Sequence, residues 1–386
     1  MAKLCPSSRR RAFIPYVTAV LWAPTSETKT LLLNWRKSLV FALLLGSIGA
    51  FALAPAAGLS APAVAATRQI TDAAGRHVTI PLVVRRVADP WPANNAMVLM
   101  LGGADKLVAT SDQARRQPWL RKLYPHIDQV PAAFNPAGEV NIETLIGARP
   151  DVILMAYGGA PPKWLETIEA YHIPVVLMPN DSLESLKTTV RMTGEVLGQS
   201  ESKVAQEYIR YFDDNIRRVT QITNKIPDSA RPKVLHTASA GILTVDGQRS
   251  VIDDWIHIAG GVNAADVVGL GRPVSMEQVA AWNPDVIIVG TAPNRRNRQA
   301  ILDDPRWSQI KAVRDGKVFV NPSGAYLWDR HSAEAALQVL WAAKQLHPAL
   351  FAALDLNKET KQFYARFFHY KLTAADLTSI MDAIPP

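Results

Sequence analysis

Aromatic and arginine side chains stand in the segments that directly follow short apolar runs. Trp91 and Asn94 follow Arg86-Val-Ala88, Trp119 lies beyond Lys106-Leu-Val-Ala109, and Tyr157 closes the run 151–156 with two glycines after it. Downstream, His236, Arg272, Arg295 and the stretch holding Tyr326, Trp328 and Arg330 occupy comparable places. Indole and phenol faces pack on aromatic or apolar ligand surfaces with little loss of side-chain entropy. Guanidinium forks pair with carboxylate or phenolate oxygens. The chemistry these types support is reversible capture of an anionic or aromatic ligand.

Covalent chemistry has no comparable support. The chain contains no GxxxxGK[ST], no GxGxxG after a strand, no HExxH and no GxSxG, so neither a nucleotide site nor a hydrolytic nucleophile is indicated. Its eight histidines (His77, His126, His172, His236, His257, His331, His347 and His369) include no pair two or four apart, which argues against a bare-metal site. His236 or His331 converging with carboxylates, or completing iron coordination on a chelate, stays open. Arg295-Arg296 with Arg298 is read as a helix start or an anion contact rather than a nucleic-acid patch. No cofactor is expected.

The elements that must position these residues follow from an internal repeat. Residues 141–155 read NIETLIGARPDVILM and residues 275–289 read SMEQVAAWNPDVIIV. Asn141 or Ser275 caps a short amphipathic helix carrying Glu143 or Glu277, Pro150 or Pro284 ends it, and Asp-Val-Ile opens a strand buried on both faces. Strand and helix patterns alternate through both halves, which predicts two α/β lobes. Between them, Ser182 starts a helix ending at Gly198, and Ser200 starts one running to about Asn224. At 1.5 Å per residue the second spans roughly 36 Å, so the lobes should close only modestly.

Composition confines these readings to an exported protein. With 386 residues, 48% apolar and 20% charged, the chain can bury one large or two medium cores. Of its net charge of +8, residues 1–66 carry six, from seven basic residues against Glu27 alone. Asn34-Trp35-Arg36-Lys37, the apolar run Leu39 to Leu53 and Ala61 to Ala66 form a secretory signal with cleavage near Ala65 or Ala66. Cys5 is the one cysteine. The exported part therefore has no disulfide and no cysteine for a lipid anchor, and the periplasm is the expected location.

In order and spacing, residues 68–348 resemble the helical-backbone periplasmic substrate-binding proteins of ABC importers that deliver ferric siderophores, haem and cobalamin. GRHVTIPLVVRRVA, LGGADKLVATS, the two glutamate units and RWSQIKAVRDGKVFVNP carry the likeness. The resemblance implies two Rossmann-like lobes with parallel sheets, bridged by a long helix and holding ligand between them. It divides the chain into a leader at 1–66, an N-terminal lobe at 67–181, linking helices at 182–226 and a C-terminal lobe with a helical extension at 227–386. It also implies that Glu143 and Glu277 dock an inner-membrane permease, one carboxylate per lobe, with charge pairs guiding the encounter. The expected protein is a monomeric carrier of a metal chelate, foremost a ferric siderophore, with haem and cobalamin as alternatives, and it binds no nucleic acid. An exported two-lobed enzyme and a sensory subunit are the rival classes. Where the cobalamin binder has a first-helix glutamate, this chain has Asn95-Ala96-Met97, which weakens transfer of that specificity.

Overall fold

The Pro-Asp pairs of the repeat show how each sheet is started. The Asp151 backbone N–H donates to the Arg86 carbonyl at 2.8 Å, and its carboxylate accepts from the N–H groups of Arg85 and Arg86 at 2.7 and 2.9 Å. Asp285 does the same in the other half: its N–H reaches the Lys233 carbonyl at 2.8 Å and its carboxylate accepts the Lys233 N–H at 2.8 Å. Each aspartate thus fastens the second core strand beside the first, in parallel. In this computed structural model the described residues are 66–135, 139–160, 162–239, 243–290 and 294–386. Residues 1–65 of the expected leader lie outside them.

The N-terminal lobe opens with an antiparallel hairpin, β1 (Thr67–Thr71) and β2 (His77–Pro81). Its parallel sheet is formed by β3 (Val87–Asp89), β4 (Leu107–Ser111), β5 (Ala132–Phe134), β6 (Val152–Tyr157) and β7 (Val175–Pro179), in the order β5-β4-β3-β6-β7. Helices α1 (Pro92–Met100), α2 (Asp112–Arg115), α3 (Pro118–Leu123), α4 (Ile142–Gly147) and α5 (Leu165–Glu169) cover it. The C-terminal lobe has β8 (Lys233–Ser239), β9 (Thr244–Asp246), β10 (Val262–Asn263), β11 (Arg272–Pro273), β12 (Val286–Val289) and β13 (Val318–Val320), with α8 (Val251–Ile258), α9 (Met276–Trp282), α10 (Asn294–Asp303), α11 (Lys311–Arg314) and α12 (Ala335–Leu346). Its order is β11-β9-β8-β12-β13, with β10 also pairing β8.

This second sheet departs from the expected parallel pattern, because β9 pairs β8 antiparallel and β11 pairs β9 antiparallel. Four residues separate β8 from β9. A link that short can only return the chain alongside itself, since a parallel crossover needs a dozen residues or more.

Two helices join the lobes, α6 (Leu183–Leu197) and α7 (Gln199–Thr223), packed against each other. Their closeness depends on Gly194, where a Cβ would stand 2.8 Å from that of Ala205. The β1–β2 hairpin braces the end of α6: the Arg68 guanidinium donates to the carbonyls of Glu195 and Val196 at 2.7 and 3.0 Å. Along α7, Tyr208 donates to the Ala333 carbonyl at 2.8 Å and Asn215 to that of Ala336 at 2.9 Å, which welds it to the C-terminal lobe. The chain closes with α13 (Leu356–Phe367) and α14 (Ala374–Met381). Phe363, Tyr364 and Phe367 of α13 are buried in one core with Tyr208 and Phe212 of α7.

Candidate functional site

In each lobe the strand order reverses beside the first core strand, and the crevice beyond the carboxyl ends there is where open α/β sheets hold ligands. In the N-terminal lobe that point is the end of β3. Asp89 is fully buried there, and its carboxylate accepts from the Trp91 N–H and from the Asn94 side-chain amide, both at 2.9 Å. Burial pushes this carboxyl up to about 8. The Asn94 oxygen accepts from Thr193 of α6 at 3.0 Å, and Asn95 donates to the Asp89 carbonyl at 2.9 Å. This buried network sets the start of α1 and, with it, the place of Trp91, which is part-buried.

Trp91 meets the other lobe. Its ring stacks on His331 with centroids 5.4 Å apart and an interplanar angle of 21°. His331 Nε2 lies 3.1 Å from the Ser182 carbonyl and 3.1 Å from the Ser185 hydroxyl, at the start of α6. Burial pulls the imidazole down to about 4, so it is neutral at physiological pH.

In the C-terminal lobe the corresponding point lies between β8 and β12, and a charged cluster fills it. His236 is fully buried, with Nδ1 2.7 Å from an Asp246 oxygen and Nε2 2.9 Å from an Asp329 oxygen. The same Asp246 oxygen accepts from the Arg330 guanidinium at 2.9 Å, while its other oxygen accepts the Gly271 N–H at 2.7 Å. Burial opposes ionisation of Asp246, but the hydrogen bond and charge of His236, with Arg330, outweigh it and hold this carboxyl well below the usual range. The Arg330 side chain is 18% exposed, next in sequence to the His331 that stacks on Trp91.

Gly290 at the end of β12 makes room for this cluster: a Cβ there would stand 2.1 Å from an Asp329 oxygen and 2.5 Å from the His236 ring. Gly290→Ala is therefore expected to destabilise the protein by on the order of 3 kcal/mol, as overpacking of a rigid site does. Thermal unfolding reads it, and an unchanged midpoint would contradict the packing described.

Two cavities lie among the loops at the strand ends. One of about 580 Å³ is lined by Tyr157, Gly158 and Asp181 from the N-terminal lobe and by Arg249, Ser250 and Leu270 from the other. A second of about 200 Å³, at the ends of β3 to β6, is apolar, with Trp91, Phe134, Met155 and Trp164 in its wall.

The expected ligand-binding residues thus divide. Trp91 and Tyr157 line these cavities, and Arg330 is part-exposed at the C-terminal lobe's reversal point. Arg272 is exposed on the edge strand β11. Tyr326 is mostly covered, and burial raises its phenol. Arg295 falls in the first turn of α10, and its side chain lies outside the described residues.

Four expectations are corrected. Asn94 is committed to Asp89 and Thr193. His236 is sealed between two carboxylates and cannot touch a ligand directly. Trp328 is fully buried in the core shared with α7, and Trp119 is turned away against Tyr364 of α13, with centroids 5.9 Å apart. Both indoles are claimed by packing. The residues that sequence reasoning missed, Asp246, Gly290 and Trp164, carry no local motif. Only the rule that strand ends at a reversal of order face the crevice points toward them.

Glu143 and Glu277 are both exposed near the starts of α4 and α9. Asn141 and Ser275 cap those helices through the N–H groups of Thr144 and Gln278. The Ser275 hydroxyl holds the Glu277 carboxyl below its usual range. Among the described residues no group of three or more His, Cys, Asp or Glu is disposed to hold a metal ion.

The sequence profile of the periplasmic binding protein family matches residues 92–325. The molybdate-binding protein MolA of Haemophilus influenzae is 28% identical over 357 residues, covering 86% of this chain and 96% of that protein. Its molybdate-bound crystal structure superposes with a TM-score of 0.71 at 25% identity, over 79% of this chain and 99% of that one. A periplasmic solute-binding protein from Veillonella parvula gives a TM-score of 0.72 at 27% identity, over 82% and 97%. The vitamin B12-binding protein of Vibrio parahaemolyticus is 23% identical over 231 residues, covering 59% of this chain and 76% of that protein.

Proposed function

The chain belongs to the periplasmic binding protein family of ABC importers, carriers rather than enzymes, and on that premise we propose that its cleft captures an anionic metal chelate of the ferric-siderophore class. The observation that carries the reading is the pairing of unlike walls. Arg249 lines the larger cavity, with Arg272 exposed and Arg330 part-exposed on the same lobe, and the apolar cavity with Trp91, Phe134 and Trp164 belongs to the N-terminal lobe. Guanidinium groups take the oxygens of an anion, and an apolar recess takes the aromatic or aliphatic arm that a chelate has and a bare oxyanion lacks. Haem and cobalamin share part of that description.

A second reading, an oxometalate of the molybdate kind, is favoured by the relative from Haemophilus influenzae. The loss of Trp119 and Trp328 to the core also favours it, because it shrinks the aromatic surface left for a large ligand.

The carrier acts as a monomer in the periplasm, exported by the leader at 1–66. It hands its cargo to an inner-membrane permease through Glu143 and Glu277.

Titration of residues 67–386 with ferric siderophores, haem, cobalamin and molybdate, followed by tryptophan fluorescence, tests the choice. Quenching by a chelate at micromolar concentration or below, weakened about tenfold or more by Trp91→Ala, is the expected result. A response to molybdate alone, indifferent to Trp91→Ala, would replace the first reading by the second.

A further inference from the structure

The buried charges at the C-terminal lobe's reversal point do not sum in favour of an anion unless one of them changes state. Asp246, Asp329 and Arg330 together amount to a net negative charge, and an anion arriving at Arg330 would be repelled by it. The geometry of His236 resolves this. Both of its ring nitrogens stand within hydrogen-bond distance of carboxylate oxygens, at 2.7 Å from Asp246 and 2.9 Å from Asp329. A neutral imidazole has one N–H and would turn a lone pair against one of those oxygens, whereas an imidazolium donates to both.

We propose that His236 is a positioning residue for ligand capture: as an imidazolium wedged between Asp246 and Asp329, it neutralises the cluster and leaves the Arg330 guanidinium able to attract an anion from the cleft. The inference rests on the reading that the cleft takes an anion, and it holds for a chelate or an oxometalate alike.

The surroundings of His236 agree. Trp255 of α8 meets its ring edge-on at 5.9 Å, and Gly290, just after β12, passes close beside it. Arg330 reaches the cluster through Asp246, and Tyr326 lies close enough to Arg330 to feel its charge. Burial pulls the imidazole down, but the hydrogen bonds and charges of Asp246 and Asp329 outweigh it and hold it above its ordinary value. The positive charge therefore persists to higher pH than on a free imidazole and is lost as pH rises through the raised value.

The test uses two anionic probes, molybdate and a ferric tris-catecholate, titrated into the wild type, His236→Asn, Asp329→Asn and Arg330→Gln. One unit charge at this range is worth about tenfold in affinity. His236→Asn and Arg330→Gln are expected to weaken whichever probe binds by about that factor. Asp329→Asn, which removes a negative charge and keeps an acceptor for His236, should tighten it by a similar factor. A merely structural role would not produce that gain. Wild-type affinity should also fall as pH rises through the raised value of His236, and the fall should vanish in His236→Asn. Tightening in Asp329→Asn supports the proposal even if His236→Asn fails to fold. Binding by the wild type that is indifferent to Asp329→Asn and to pH overturns this inference alone. Failure of both probes to bind the wild type overturns the anion reading and this inference with it.

Discussion

Reversing both exposed glutamates, Glu143→Arg with Glu277→Arg, is expected to abolish delivery to the permease while ligand affinity stays within about twofold of the wild type. The two positions stand at the starts of α4 and α9, the helices of the repeated unit, and neither touches a cavity described above. Each helix begins on the side of its sheet where the preceding strand ends, with one exposed carboxylate per lobe. Replacing a steering charge by its opposite converts attraction at two contacts into repulsion, which costs several kcal/mol across a docking surface. The measurement is ligand-dependent ATP hydrolysis by the reconstituted permease, beside a binding titration of the carrier alone. Single reversals should give partial losses. Full stimulation by the double variant would reassign both residues to satisfying the dipoles of their helices.

The parts legible in the sequence were those governed by short-range rules. The helix-proline-aspartate-strand unit occurs twice because each lobe needs the same device to dock its second core strand, and Asp151 and Asp285 do so through matching hydrogen bonds. The linking helices announced themselves through Ser182, whose hydroxyl accepts from the Ser185 N–H, and through Gly198 at their joint. What could not be read was which aromatic faces the cleft. Trp119 and Trp91 both follow strands, but Trp119 is covered by α13, some 240 residues later in the chain. His236 likewise looked like a ligand contact. Its partners are 10 and 93 residues away, and nothing local reveals that two carboxylates converge on it.

The C-terminal helices had no role in the sequence reading, and the structure gives them one that a truncation should expose with the largest effect on stability. Phe363, Tyr364 and Phe367 are fully buried against α7, and the Tyr364 hydroxyl donates to buried Glu334 at 2.8 Å while accepting the Ala325 N–H at 3.1 Å. On the N-terminal lobe, Asp376 of α14 pairs with Lys122 at 2.5 Å, and Tyr364 meets Trp119. The extension is thus a strap fastened to α7, to the loop before α12 and to α3, and so it spans both lobes. Removing one buried phenylalanine costs about 3–5 kcal/mol, and the total stability of a protein is typically about 5–15 kcal/mol. Phe363→Ala should therefore lower stability by about 3–5 kcal/mol, and truncation after Leu350 should abolish cooperative unfolding altogether. Glu334 adds a pH signature. Burial pushes its carboxyl up to about 7 from an ordinary 4.5, so stability present below about pH 4.5 is lost as the pH rises toward 7, where the folded protein finally ionises it. Glu334→Gln should flatten that part of the profile. Circular dichroism melts across this range decide the matter: a truncated chain that still melts cooperatively near the wild-type midpoint would mean that the two lobes and their linking helices hold together without the strap.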